Sequence, residues 1–363
     1  MTAVLSETDS ARALFQRVHG AGDLAAECPL VFGPGAVGEV VVLEHEGALR
    51  AACTLVVREF RIGARRLRGG MIGSVATDPA WRGRGLATRL LARAEETLRA
   101  RGALFAMLWA TDPGFYLKRG YVPFGVENDF LIGTELAAAL PEPSGVRVLA
   151  ADDADHVHRL YGTHATRVER SPAETRMLLA APDMVTLVRE RPSAPGQPAL
   201  PQAYACLGRG RDLADTIHEW GGAAEDVLAL VRGHLARRFL PGERGTLFLM
   251  APPVESELAY RLVQLGASSK RGILGLGKIV APAAAVEALA RELGAPGAAT
   301  LVGQDGVRLT GPKGSLHFDF EALQALLFGG PELRDEVCGL LERLGFGEVA
   351  LPLQPFAWGL DSI

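Results

Sequence analysis

The segment GMIGSVATDPAWRGRGLATRLLARAEETLRARG, residues 70–102, reads as a strand, a turn and a helix in that order. Residues 70–77 form the strand, which stops at Pro79 and the run Arg82 to Gly85. Apolar residues then return at helical spacing, at Leu86, Leu90, Leu91, Ala94 and Leu98. Gly102 ends this run, with Arg99 and Arg101 in its last turn. The apolar stretch 103–109, ALFAMLW, follows as a buried strand. Strand, Gly-rich turn, helix and strand together make a crossover unit. Upstream, 39–45 (EVVVLEH) and 48–62 (ALRAACTLVVREFRI) read as two strands around Glu46-Gly47. Residues 1–27 read as a short helical opening, and Arg65, Arg66 and Arg68 as a hairpin turn facing solvent.

The turn itself, Arg82-Gly83-Arg84-Gly85, has a specific electrostatic use. A strand feeding a helix there leaves several backbone N–H groups at the helix N-terminus. Glycines let a ligand approach the backbone, the helix dipole adds partial positive charge, and two arginines add formal charge. The pattern is that of a phosphate or pyrophosphate cradle. It is neither a dinucleotide fingerprint nor a Walker loop, because no Gly-Lys-Ser/Thr follows. A tight turn carrying two solvated arginines has the same pattern, and both readings stand on this segment alone.

The 363 residues suggest two or three domains. At 48% hydrophobic and 22% charged, the chain can bury a sizeable core and is not generally disordered. A net charge of −4 argues against a globally basic nucleic-acid binder. Cys28, Cys53, Cys206 and Cys338 are far apart, so neither a disulfide framework nor a metal site is expected. The opening MTAVLSETDSARALF lacks the pattern of a signal peptide, and no apolar run is long enough to span a bilayer. A cytoplasmic protein without membrane or nucleic-acid partners is the expectation. His156, His158 and His164 do not share one helical face, which suits a solvated helix better than a metal site. Residues 191–201 (RPSAPGQPALP) read as an exposed proline-rich loop, and 282–293, 320–328 and 331–344 as helices.

An internal repeat links the first and middle thirds. ALFAMLWA at 103–110 aligns with TLFLMAPP at 246–253, Tyr116 with Tyr260, and Arg119-Gly120 with Leu265-Gly266. Both copies read strand, turn, amphipathic helix, strand, short helix, glycine. Their turns differ: the second, Gly221-Gly222-Ala223-Ala224-Glu225-Asp226, is acidic and lacks arginine. Only the first copy is suited to an anion.

Val75-Ala76-Thr77-Asp78-Pro79-Ala80-Trp81-Arg82-Gly83-Arg84-Gly85-Leu86-Ala87 resembles motif A of the Gcn5-related N-acetyltransferases (GNAT), whose acetyl-CoA loop reads Gln/Arg-x-x-Gly-x-Gly/Ala. Arg82, Gly85 and Ala87 occupy its fixed positions. Phe115-Tyr116-Leu117-Lys118-Arg119-Gly120-Tyr121 resembles the family's second motif, and the likeness covers roughly residues 35–130. The whole layout resembles the Eis-like acetyltransferases. That implies an α/β fold with mixed sheets: a catalytic GNAT domain at 1–145, a degenerate second one at 146–278, and a sterol-carrier-like α+β domain at 279–363. The chain departs from that subfamily at Gly83, where its loop is more densely arginine-rich.

The resemblance implies acetyl-CoA as co-substrate, no metal, and transfer to a primary amine, with an oligomer hinted. Val75, Ala76, Thr77, Arg82, Gly83, Arg84, Gly85, Leu86 and Ala87 would bind the CoA. A β-bulge near Ser74–Thr77 would offer N–H groups to the acetyl carbonyl. Tyr116 would protonate the leaving thiolate. The base is implied to be the carboxylate of Ile363, in an apolar tail, Trp358 to Ile363, suited to being tucked in. Two other readings stay open: a non-catalytic acyl-CoA sensor or scaffold, and a hydrophobic-ligand protein acting through its C-terminal domain.

Overall fold

A computed structural model describes residues 7–20, 22–192, 199–210, 212–254, 256–303, 306–330 and 333–363. The first third contains helices α1 (Glu7–His19), α2 (Leu24–Glu27) and α3 (Pro29–Phe32), then strands β1 (Glu39–His45), β2 (Ala48–Ile62) and β3 (Arg65–Thr77). Helix α4 (Leu86–Ala100), β4 (Phe105–Leu108), α5 (Gly114–Leu117) and β5 (Val122–Gly133) follow. The middle holds β6 (Val146–Val148), α6 (Ala154–Tyr161), β7 (Thr166–Val168), α7 (Pro172–Leu178), β8 (Val185–Pro192), β9 (Ala199–Leu207), β10 (Thr216–Gly222), α8 (Ala224–Arg238), β11 (Thr246–Ala251), α9 (Glu257–Gln264) and β12 (Ser268–Ile279). The last part holds α10 (Pro282–Glu292), β13 (Ala299–Val302), β14 (Gly306–Gly311), β15 (Gly314–Asp319), α11 (Phe320–Phe328) and α12 (Arg334–Leu344).

The described residues fall into two compact units. The first comprises Met1–Val126, Ile273–Pro355 and Ile363; the second comprises Glu127–Gly272 and Phe356–Ser362. In the first unit β1, β2 and β3 are antiparallel neighbours, β4 lies parallel to β3, and the end of β12 lies antiparallel to β4. In the second unit β8, β9 and β10 are antiparallel neighbours, β11 lies parallel to β10, and the end of β5 lies antiparallel to β11. The same strand pattern therefore occurs twice, and the fold is mixed α/β.

Helix α4 shows why this sequence folds as it does in the first unit. Leu86, Leu90, Leu91, Ala94 and Leu98, at i, i+4, i+5, i+8 and i+12, are its buried face. They pack on Val41, Cys53, Leu55, Ile72 and Leu108 of the sheet. Each buried leucine contributes about 1.5–3 kcal/mol. Gly102, at φ +80°, follows the helix in the left-handed conformation that ends it. Residues 299–319 form a separate three-stranded antiparallel sheet, β13-β14-β15, whose buried side carries Val307 and Leu309.

Three local expectations change. Arg65, Arg66 and Arg68 lie within β3 rather than in a turn, because Ile62 pairs with Arg65 and leaves Gly63 and Ala64 as the hairpin loop. Arg65 and Arg66 are ion-paired to Glu292 and Glu59. The proline-rich loop is shorter than 191–201: β8 runs to Pro192 and β9 starts at Ala199, and residues 193–198 lie outside the described set, as do 1–6 and 331–332. His164 is not on a solvated helix. It follows α6 and is packed against Trp220 and Trp358, and burial lowers its pKa to about 4.

Candidate active site

The site elements all belong to the first unit. Strand β3 carries a bulge at the expected place: Thr54 pairs with Gly73 and Ala52 with Ala76, so Ser74 and Val75 together face Cys53. Ser74 has φ +49°, unusual for a residue with a side chain. A bulge takes one residue's backbone groups out of the ladder and leaves them free for a ligand. Ser74, Val75 and Thr77 are half-buried and Ala76 is buried.

Past Thr77 the chain makes a 3₁₀ turn, Pro79–Trp81, capped by the Asp78 carboxylate, which accepts from the Ala80 N–H at 3.1 Å. Arg50 donates to Asp78 at 3.2 Å, and its guanidinium lies 4.4 Å from the Trp81 ring centre. Arg84 lies at the same distance from that ring. His45 meets the indole edge-on, with ring centres 4.9 Å apart. The indole is thus a platform that fixes the approach to the glycine turn.

Gly83 and Gly85 both have φ +76°, and a Cβ at either would point into open space. The backbone is there accessible to a ligand. Gly85 is the N-cap of α4, where no side chain caps the free N–H groups and no acidic residue lies in the first turn. Arg82 and Arg84 are exposed, and among the described residues neither pairs with a carboxylate. An uncapped helix N-terminus, left-handed glycines and unpaired guanidiniums fit a diphosphate. Leu86 is buried beneath the turn, and Ala87 is half-buried.

Tyr116, on α5, packs with Val75 and Phe115 against the core cluster that includes Cys53. Burial is the main cause raising its pKa above the usual value, with Cys53 adding to it and Arg119 opposing it. Burial pushes the Cys53 thiol to about 12. Arg119 donates to Thr88 Oγ1 on α4, at 3.0 Å from Nε and 2.6 Å from Nη2, and its guanidinium stacks 3.6 Å from the Phe115 ring centre. These contacts tie the tyrosine's helix to the first turn of α4.

Ile363 lies against β3: its carbonyl carbon and oxygen occupy the space where a Cβ on Gly73 would sit. The bulge, Tyr116 and Ile363 are therefore all referenced to β3 and β2, while Arg82 to Ala87 follow the end of β3 nearest the bulge. Sequence reasoning missed Gly73, Thr54, Trp81 and the Arg119–Thr88 tie. Of these, Thr54 left a signal, as a lone hydroxyl in the apolar run Ala51-Ala52-Cys53-Thr54-Leu55-Val56-Val57. Among the described residues no group of His, Cys, Asp or Glu could hold a metal ion, and no helix is long and apolar enough to cross a membrane.

Residues 6–124 match the family model described as an acetyltransferase (GNAT) domain. A curated relative, aminoglycoside 2'-N-acetyltransferase of Mycolicibacterium fortuitum, is 34% identical over 110 residues, covering 30% of this chain. The match spans about half, 51%, of that relative's length. The fold is similar to a Gcn5-related N-acetyltransferase of Anabaena variabilis, with a TM-score of 0.64 at 15% identity, covering 99% of this chain and 98% of that one. It is also similar to Eis1 of Mycobacterium abscessus, with a TM-score of 0.56 at 16% identity and 99% of both chains covered. Residues 6–124 thus match the acetyltransferase (GNAT) domain family, and the chain's fold is similar to that of Eis1.

Proposed function

We propose that this chain is an acetyl-CoA-dependent N-acetyltransferase that acts on a primary amine. One observation carries the reading: the β3 bulge at Ser74–Val75 leads within one turn to the uncapped, glycine-bearing N-terminus of α4. That spacing suits a thioester at the bulge and a diphosphate at the turn. Val75, Ala76 and Thr77 would pair with the pantetheine arm, and Arg82, Gly83, Arg84, Gly85, Leu86 and Ala87 would hold the diphosphate. Bulge N–H groups would donate to the acyl oxygen as it gains charge. Tyr116, kept protonated by burial, would donate its proton to the departing sulfur. The carboxyl of Ile363, beside Gly73, would accept the proton lost by the amine. On the same reading, 279–363 is a sterol-carrier-like module and the repeat of 146–278 is a second, degenerate GNAT domain.

The relative from M. fortuitum makes an aminoglycoside the first acceptor to try. The test is thiol release from acetyl-CoA with an aminoglycoside, a polyamine, a peptide N-terminus and a lysine side chain. Amine-dependent release supports the reading. Tight CoA binding with no release for any amine would turn it towards acyl-CoA sensing.

A further inference from the structure

Thr54 lies on β2 directly across the ladder from Gly73, next to the bulge. Its side chain is wholly buried, and its hydroxyl has no hydrogen-bond partner among the described residues. A hydroxyl removed from water without a partner is costly, whereas valine would fill the same space at no such cost. What the hydroxyl faces is set by Gly73. A Cβ there would fall 2.8 Å from Thr54 Oγ1 and would collide with the carbonyl carbon and oxygen of Ile363. The hydroxyl and the Ile363 carboxyl therefore converge on the bare face of one glycine.

We propose that Thr54 is the positioning residue for the Ile363 carboxyl, donating its hydroxyl proton in a hydrogen bond that holds this group beside the bulge during transfer. The inference rests on the reading of that carboxyl as the proton acceptor. Catalytic hydrogen bonds are often long before substrate binds and tighten in the reacting complex, which suits a donor and an acceptor that are neighbours without yet being bonded. In the step so served, the amine lone pair forms the new N–C bond and the C–S bond breaks. One amine proton passes to the carboxylate, and the sulfur takes the Tyr116 proton. Thr54 gives up no proton; it fixes the oxygen that receives one. Gly73 has a matching role, since any side chain there would displace the carboxyl.

The experiment compares Thr54→Val, Thr54→Ser and Gly73→Ala with the unaltered chain, using acetyl-CoA and kanamycin, or the fastest acceptor of the amine panel. Thr54→Val should lower kcat by about 10- to 100-fold, the size expected when one hydrogen bond to a charged group is lost. KM for acetyl-CoA should stay within about two-fold, because the cradle is untouched. Its Tm should hold or rise, since an unpartnered hydroxyl is replaced by a methyl of the same shape. Thr54→Ser should restore kcat. Gly73→Ala should match the loss caused by deleting Ser362-Ile363 while keeping CoA affinity, and so gives a second route if Thr54→Val folds poorly. Full kcat in Thr54→Val, or equal impairment in Thr54→Ser, overturns the proposal. If the unaltered chain acetylates no amine, the parent reading fails, and this one with it.

Discussion

The β3–α4 turn of the first unit and the β10–α8 turn of the second sit in the same strand pattern and have been finished differently. In both, a strand parallel to its neighbour carries a one-residue bulge and then runs into a fifteen-residue helix. The second bulge, at His218, is filled by the protein itself. His218 Nε2 bonds the Gly208 carbonyl at 3.1 Å, and a Cβ on Gly359 would collide with the imidazole. The second helix has no side-chain cap either, but its first turn is acidic where that of α4 is not. Asp226 meets Arg189 at 3.1 Å and Arg191 at 2.7 Å, and Glu225 meets Arg261 at 3.0 Å. The first turn has no such internal anion. The tyrosines follow the same division: Tyr116 is half-buried with its pKa raised, whereas Tyr260 is 63% exposed and its hydroxyl accepts from Gln264. One strand-turn-helix pattern thus carries exposed arginines in its first copy and arginine-paired carboxylates in its second.

The largest expected effect comes from giving the first turn the chemistry of the second. Gly85→Glu places a carboxylate at the N-cap of α4, and CoA affinity should fall by at least about 100-fold, since a like charge opposed to a ligand costs several kcal/mol. Gly85→Ala is the control. It has the same positive φ, with strain of about 1 kcal/mol, but no charge, and its Cβ has open space. Calorimetry separates the two. Near-native CoA affinity in Gly85→Glu breaks the cradle assignment.

The paired tyrosines give the next effect. Tyr116→Phe should lower kcat by about 10²-fold, the usual scale of a general acid, with KM for acetyl-CoA little changed. Tyr260→Phe should change neither. Because Tyr116's pKa lies above the usual value near 10, it stays protonated through neutral and mildly basic pH. Activity that depends on it should disappear only as pH rises through that elevated pKa, and a pH–rate profile checks the sign.

How much of this contrast could be seen in the sequence depends on the range of the interaction responsible. Leu86 to Leu98 on one face of α4, and the acidic residues of the second turn, are local patterns, and both were legible. The β3 bulge was also expected, through a family resemblance at Val75–Ala87 rather than through any periodicity. Non-local contacts left weaker marks. Nothing near Trp81 in the chain announces its contact with Arg50, and nothing near Gly73 announces Ile363. Helix spacing reads His164 as solvated because it is blind to Trp220 and Trp358, which arrive from elsewhere in the sequence. The Arg65–Arg68 run reads as a turn in the sequence, yet the two-residue hairpin needs only Gly63 and Ala64.

Stoichiometry and stability sharpen the comparison in the second unit. A CoA titration should saturate at one per chain; saturation at two would refute the idea that the acidic first turn of α8 repels the anion. Asp226→Ala should not create a site so much as loosen the unit. The Arg189 side chain, 8% exposed, would lose a carboxylate that is itself 9% exposed. Removing one partner of such a pair costs about 3–5 kcal/mol when the other stays buried, and Arg191 reaching water should keep the loss at the lower end. Denaturant unfolding of this variant measures it.

The last expected effect is a pH dependence, and it again divides the two regions. The second unit holds His164, His218 and His234 in buried positions, where desolvation lowers their pKa values to about 4, 3 and 4. In the unfolded chain each would titrate near the ordinary value of about 6.5. Between those limits the unfolded state binds more protons than the folded one, so stability must fall as pH falls. The contribution is present above about pH 6.5 and is lost as pH drops through about 4. In the first unit, the bulge position that corresponds to His218 is Ser74, which cannot titrate. Trp220 and Trp358 lie against His164, so their fluorescence reports on the second unit. On acidification to about pH 5 their emission should shift in partly denaturing urea while CoA still binds the first unit. His164→Gln should reduce the shift, because an amide cannot be driven off by protonation. Equal acid sensitivity of tryptophan emission and CoA binding would mean that the histidines do not set the difference.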